Sequence, residues 1–452
     1  MSGTLDGLTI RFAEFAAGLR AEDVPPEVLE RAKMIVRDSI GIQLAASTSC
    51  EPAAKAIDLI RLWGGRDDCT IVGSGLKSPA PHAALCNAML AHGIQMDDTH
   101  SQGLIKAGSV LVPSVLAAGE LRQAGGKDVL VSLVIGYEIA IRIAKAINPG
   151  HRRRGFHTSG TVAGFGAAAG TGRLLGLNAE QIAWAMGLAG SQSGGLVAFL
   201  DDPCMSKPLL CGKAAYNGVF SGLLAATGLT GPKTILEGKE GFFNAFCDEI
   251  DESALIADFG NSYTIMEVGL KPHAACRYSH TPIDLAQKMY HEDGIRLNDV
   301  KDGTIWMSEI AVRQTSIPES KSLDASMGST EFGVATALEL GSNGLKDCRT
   351  AFDLPQIHEG AKRFQMIEAA SLSPSARDAV LEVRTKDGRT IRYEQPLPKG
   401  EPSIPMTNDE LEQKFLSLAC LAIDEGGAKS LNERIMQMDV APDISEIMSF
   451  VG

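Results

Sequence analysis

The chain has 452 residues, 44% of them hydrophobic and 21% charged, the balance of a globular protein with enough length for two or three domains. Its formal net charge of -13 repels a phosphate backbone, so nucleic acid is not an expected partner and an anionic ligand needs a local cluster of cations. The nine cysteines (Cys50, Cys69, Cys86, Cys204, Cys211, Cys247, Cys276, Cys348 and Cys420) form no C-x-x-C pair, a pattern of reduced, mostly buried thiols in a cytoplasmic or similarly reducing setting.

The opening MSGTLDGLTIRFAEF carries Asp6 and Glu14 and no basic stretch ahead of an apolar run, so no signal peptide is expected. PPEVLERAKMIVRDSIGIQLAAS then puts Pro25 and Pro26 at a helix start and Val28, Leu29, Ala32, Ile35 and Ile40 on one face. ALCNAMLAHGIQ, VPSVLAAGELRQ, KDVLVSLVIGYEIAIRIAKAI, AEQIAWAMGLAG and CGKAAYNGVFSGLLAATG continue the pattern, so the first 265 residues or so read as a many-helix bundle. The apolar run LIKAGSVLVPSVLAAGEL is interrupted by Lys106 and Pro113, and no membrane span is expected. In GTVAGFGAAAGTGRLLG, Gly and Ala recur three or four apart and let helix backbones approach closely. A phosphate-binding reading of that stretch fails, because the spacing is wrong, no G-K-[ST] is present and a helix precedes it.

Near residue 267 the character changes. TIWMSEIAVRQTS alternates like a strand, and AVLEVRTKDGRTIRYEQP reads as two strands joined through Asp387-Gly388. SMGSTEFGVATALELG and CRTAFDLPQIHEGAKRFQMIEAA read as helices. PLPKGEPSIPM is a proline-rich boundary, followed by an amphipathic helix, NDELEQKFLSLACLAI, with Asn408 as its N-cap. The expected organisation is mostly α: a helical domain from residues 1–266 and 404–452, and a smaller α+β domain over 267–403.

Four stretches carry the polar residues from which chemistry is made. In HGIQMDDTHSQGLIKAG, residues 92–108, His92, Asp97, Asp98, Thr99, His100 and Lys106 interrupt an apolar context. They can hold a metal, move protons on a substrate, or form a capped and solvated loop, although a metal lacks a nearby H-x-x-x-H or E-x-x-H partner. In HRRRGFHTSGT, the three arginines have the default fate of a solvated run. His157, at the start of a glycine-rich helix where free N–H groups favour an anion, is either an acid-base group or a hydrogen-bonded structural histidine. In DDPCMSKPLLCGKAAYNG, Lys207 is flanked by Met205, Pro208 and Leu209, which draws its ammonium inward as a carboxylate clamp or a base. In LKPHAACRYSHTPIDLA, Lys271, His273, Cys276, Arg277 and His280 crowd together.

In their order and gaps, HGIQMDDTH with KAGSVLVPS, GYEIAIRIAKA with RGFHTSGTVAGFGAAAGTGRLLGL, SKPLLCGKAAYNGVFSGLLAATGLTGP and KPHAACRYSHTPID resemble the successive signatures of the MmgE/PrpD family. With the closing NDELEQKF helix, the resemblance spans nearly the whole chain. The family includes 2-methylcitrate dehydratase, cis-aconitate decarboxylase and iminodisuccinate epimerase. It implies a large all-helical domain from both chain ends, a smaller α+β lid, a homodimer, no metal or organic cofactor, and a site in the cleft between domains. It also implies proton transfer at a carbon next to a carboxylate of a small di- or tricarboxylic acid.

Carried over residue by residue, the threonine of the D-D-T motif is Thr99, the histidine of G-F-H is His157, the lysine of the K-P-L block is Lys207, and the lysine opening the fourth block is Lys271. Four positions depart from the family pattern. Gln95 stands where an acidic residue is usual, Lys106 where the histidine of H-P-G falls, Leu210 where a histidine follows K-P-L, and Phe332 where a tyrosine is expected. The expected catalytic set is therefore Lys106, His157, Lys207 and Thr99, with Asp97, Asp98, Gln95, Lys271, Arg277 and Cys276 binding the substrate. Lys106 serves as a cation or, desolvated beside Lys207 and Lys271, as an amine base. The same four departures also suit a carboxylate-binding homologue that has lost the chemistry.

Overall fold

The computed structural model describes residues 5–202, 204–372 and 376–452. They form a mostly α architecture in two compact units, one made of residues up to Gly93, 97–269 and 418–452, the other of 94–96 and 270–417. Residues 404–417 thus group with the second unit and not with the helical domain to which the sequence assigned them. No described helix is long and apolar enough to cross a membrane, and all nine cysteines are unbridged.

The first unit is built from α1 (Leu8–Gly18), α2 (Pro26–Ser47), α3 (Glu51–Trp63), α4 (Ala80–His92), α5 (Gly108–Arg122), α6 (Gly126–Ile147), the single turn α7 (Gly150–Arg153), α8 (Thr158–Leu174), α9 (Ala179–Gly190) and α10 (Lys207–Ala226). An antiparallel hairpin, β1 (Cys69–Ile71) and β2 (Leu76–Ser78), separates α3 from α4. Every residue of α8 from Thr158 to Gly172 is buried. The Gly/Ala spacing explains how: a Cβ on Gly166 would lie 2.3 Å from the Gly136 carbonyl of α6, and one on Gly218 of α10 would lie 2.3 Å from the Ala167 methyl. Small residues therefore let three helices touch along their backbones. The chain end returns to this unit, where Lys33 of α2 donates to the Met436 carbonyl at 3.0 Å and pairs with Asp439 at 3.1 Å.

The second unit holds a four-stranded sheet in the order β4-β3-β5-β6, from β3 (Val300–Met307), β4 (Phe364–Glu368), β5 (Ala379–Thr385) and β6 (Thr390–Gln395). β3 pairs parallel with β4 and antiparallel with β5. The Asp387-Gly388 hairpin joins β5 to β6 as the sequence predicts, with Gly388 at φ 92, a backbone conformation suited to glycine. Ile305, Leu381 and Val383 pack with Ile283, Phe332 and Leu338 in one apolar core.

Two elements differ from their sequence reading. The strand expected over TIWMSEIAVRQTS stops at Met307, and Glu309–Thr315 is a helix. The segment RFQMIE, expected to continue a helix, is the edge strand β4, because five residues cannot display either period decisively and pairing with β3 settles the choice. The helix Asn408–Ala419 is capped one residue earlier than expected. Thr407 and Glu410 form the reciprocal box, with Thr407 Oγ1 accepting from Glu410 N at 3.2 Å and Glu410 Oε2 accepting from Thr407 N at 2.8 Å.

Candidate active site

The loop from α4 to α5 separates its two adjacent aspartates into different tasks. His92 ends α4 with a fully buried ring, and its Nδ1 lies 2.6 Å from Asp97 Oδ2. Ser109, in the first turn of α5, donates its hydroxyl to the same oxygen at 2.7 Å. The other oxygen, Oδ1, faces the Lys106 ammonium at 4.0 Å. Lys106 is held by its backbone, its N–H donating to Ser159 Oγ at 3.0 Å.

Asp98 is a structural cap. Its carboxylate accepts the Gly108 N–H at 3.0 and 3.1 Å at the start of α5 and the Tyr137 hydroxyl at 2.6 Å. A Cβ on Gly108 would lie 2.5 Å from that hydroxyl, so only glycine fits between them. Burial outweighs these hydrogen bonds and lifts the Asp98 pKa to about 7. Both Asp98 oxygens accept hydrogen bonds from the frame of the loop.

Thr99 pairs with Gly269 through both backbone groups, at 2.9 and 2.8 Å, while its buried Oγ1 has no hydrogen-bond partner among the described residues. His100 turns to Glu267 through Nε2 at 3.0 Å and accepts the Gly103 N–H on Nδ1. With Lys145 also at 2.8 Å, these hydrogen bonds hold Glu267 down to about 2. Asp97, Asp98 and His100 therefore serve three different partners and do not converge on a common point. Among the described residues no group of three or more His, Cys, Asp or Glu side chains comes together as a metal would require.

His157 is the N-cap of α8, and its Nδ1 accepts the Gly160 N–H at 3.3 Å. That bond assigns the proton of the neutral ring to Nε2. Burial, reinforced by His92, Lys106, Lys207 and Arg152, pushes its pKa well below the ordinary histidine value. The ring lies 5.6 Å from His92 and 6.1 Å, edge-on, from Phe199, centroid to centroid. Lys207 opens α10 half-buried, although of its apolar flanks only Pro208 is buried and Met205 and Leu209 are exposed. Cys211, one turn later, is fully buried and hydrogen-bonds Ser109, and burial raises its thiol pKa. Of the three arginines, Arg153 and Arg154 are exposed and only Arg152 is half-buried.

The ten residues singled out from sequence fall into two sets. Asp97, Asp98, Thr99, Lys106, His157 and Lys207 belong to the first unit, and Gln95, Lys271, Cys276 and Arg277 to the second. In the second unit Lys271 is buried and donates to the carbonyls of Gln95 and Ala275. Gln95, at φ 57, donates its amide to Asp324 at 2.9 Å. Arg277 gives Nε and Nη2 to Glu401 at 3.1 and 2.8 Å, and Nη1 to the Lys399 carbonyl and to His280, each at 3.1 Å. Cys276 is half-buried, its N–H donating to the Met327 carbonyl at 3.0 Å. Phe332 is a core residue whose ring is tilted against that of His358, and Leu210 lies against Gly160.

Sequence reasoning counted His92 among the polar residues of the first stretch but gave no role to it, nor to Ser109 or Tyr137. His92 stands five residues before Asp97, and the fold of the loop, not helical spacing, brings the two together.

The model of the MmgE/PrpD N-terminal domain matches residues 10–253, and that of the C-terminal domain matches 273–439. The chain belongs to the MmgE/PrpD family. Curated relatives extend along its whole length. It is 27% identical to the cis-aconitate decarboxylase-like protein oryM of Aspergillus oryzae, over 98% of this chain and 97% of that protein. It is 26% identical to the cis-aconitate decarboxylase of Aspergillus terreus, over 100% and 97%, and 24% identical to that of Homo sapiens, over 99% and 95%.

Proposed function

We propose that this MmgE/PrpD protein is a lyase or isomerase that transfers a proton at the carbon next to a carboxylate of a small di- or tricarboxylic acid, with decarboxylation as the leading outcome. The observation that carries this reading is the cationic cluster of the first unit. In a chain of net charge -13, Lys106, Lys207 and Arg152 all bear on one partly buried neutral imidazole. Such a cluster suits an anion with more than one carboxylate. The relatives named as cis-aconitate decarboxylases support the substrate class.

Each role follows from the local chemistry. Lys207 neutralises a substrate carboxylate, with Thr99 Oγ1, buried and unpartnered, donating to it. His157, its Nδ1 engaged by Gly160, presents a neutral Nε2–H to the oxygen on which enolate charge develops. This makes it an electrophilic donor, where the sequence reading offered an acid-base group or a structural histidine. Lys106, beside the Asp97 carboxylate, is the proton-transfer group. Arg277 and Lys271 are committed within the second unit, so the reading does not draw on them.

The test is incubation with cis-aconitate, citrate, methylcitrate, itaconate and an iminodisuccinate analogue in deuterated buffer, followed by proton NMR. Deuterium entering an α carbon, with or without loss of carbon dioxide, supports the reading. Ligands that bind without any exchange would establish a carboxylate-binding homologue instead.

A further inference from the structure

His92 has no part in the roles assigned above, yet its surroundings define its state closely. Nδ1 is bound to Asp97 Oδ2 at 2.6 Å, and Nε2 is buried without a hydrogen-bond partner among the described residues. Burial outweighs the pull of Asp97 and brings the ring pKa down to about 4, so at neutral pH the ring is uncharged and its one proton lies on Nδ1. Lys207 and Lys106 act on it from α10 and from the loop before α5, and His157 stands 5.6 Å away. A neutral imidazole in this position contributes direction and not charge.

That direction has a consequence for Asp97. Oδ2 receives both the His92 N–H and the Ser109 hydroxyl, which fixes the carboxylate plane and leaves Oδ1 towards Lys106. We infer that His92 is a positioning residue for proton transfer by Lys106, acting through Asp97 to hold an anionic oxygen against the Lys106 ammonium. The inference rests on the assignment of Lys106 made above. In the step itself the bond from the substrate carbon to the departing carboxylate breaks, carbon dioxide leaves, and the electron pair left on that carbon forms a C–H bond with a proton given by Lys106. The amine keeps the N–H pair as its lone pair and is reprotonated by water. Asp97 stays a carboxylate and His92 keeps its Nδ1 proton throughout. Asp97–His92 works on Lys106 as the third member of a catalytic triad works on its base.

Two variants and one spectrum test this on the full-length protein. His92→Leu removes the N–H, whereas His92→Asn keeps a donor near the Nδ1 position and deletes Nε2. His92→Leu is expected to lower kcat on the order of tenfold to a hundredfold, the scale for losing an orienting hydrogen bond, with KM little changed. It should also displace the limb of the kcat pH profile that Lys106→Met abolishes, and His92→Asn should restore most of the lost rate. A parental kcat and pH profile in His92→Leu would overturn the inference. So would a folded His92→Asn as impaired as His92→Leu, because the role would then reside in Nε2 or in packing. The ¹⁵N spectrum of histidine-labelled, substrate-free protein is expected to show His92 neutral with its proton on Nδ1, and a proton on Nε2 would overturn the inference even if His92→Leu fails to fold. This last readout needs no substrate, so it separates failure of the His92 assignment from failure of the proposed reaction.

Discussion

Two stretches of this chain look equally promising as sequence: the loop around Asp97–Lys106 with His157 and Lys207, and the segment from Lys271 to His280. In the second, the charged and imidazole groups already have protein partners. Arg277 and Arg377 share Glu401 at 2.8 and 2.7 Å, His273 is paired with Asp284 at 2.7 Å, and His280 takes a hydrogen bond from Arg277. In the first, Thr99 Oγ1 and His92 Nε2 are buried without a partner among the described residues, and two lysines bear on one neutral histidine. The comparison teaches that density of polar residues does not mark a site. Within a cationic cluster, a buried group left without a partner is a candidate ligand contact, because leaving it so costs about 1–3 kcal/mol unless a ligand completes it.

The difference can be broken by mutation. Arg277→Met leaves Glu401 with one buried partner fewer and is expected to destabilise the fold by roughly 3 kcal/mol while changing kcat little in whatever protein remains folded, as denaturant titration and assay at low temperature would show. Lys106→Met is expected to do the reverse, lowering turnover on the order of a hundredfold with an unchanged denaturation midpoint. A normal rate in Lys106→Met would make Lys106 a bystander.

Asp98 sharpens the contrast inside the first unit, since it lies next to Asp97 and yet belongs to the frame. Its folded pKa of about 7 is raised from 3.8, so between those values the folded state keeps a proton that the unfolded state has lost. Its contribution to stability is therefore full below about pH 4 and is lost as pH rises towards 7. Asp98→Asn, which cannot ionise, should gain on the parent by about 2 kcal/mol between pH 5 and pH 8, measured by denaturation at each pH. A pH-independent difference would mean that Asp98 ionises normally. The smallest expected effect is that of Thr99→Val, about a tenfold rise in KM from one lost hydrogen bond to a charged ligand, with stability unchanged.

Much of this fold was legible from sequence. The helical periodicity of the first half, the close-packing Gly/Ala spacing of α8 and the Asp387-Gly388 hairpin are local signals, and each appears where the pattern put it. β4 and the helix Glu309–Thr315 were not legible, because a strand of five residues at a sheet edge and a helix of two turns are decided by their neighbours. Of the site, Lys106, His157 and Lys207 could be found as polar residues in apolar or helix-start settings. Their order of importance could not, since Arg277 and Lys207 differ in sequence only by neighbours that the chain brings from far away, Glu401 above all. The pairing of His92 with Asp97 stayed hidden because the two are joined across a loop whose course no short-range rule fixes.

The central claim is that the first unit moves a proton on carbon next to a carboxylate by means of Lys106. The most direct measurement follows cis-aconitate by proton NMR in deuterated buffer with the parent protein and with Lys106→Met. Deuterium at the α carbon with the parent, and its loss or a slowing on the order of a hundredfold with the variant, is the predicted result. Equal deuterium uptake by both proteins would contradict the account.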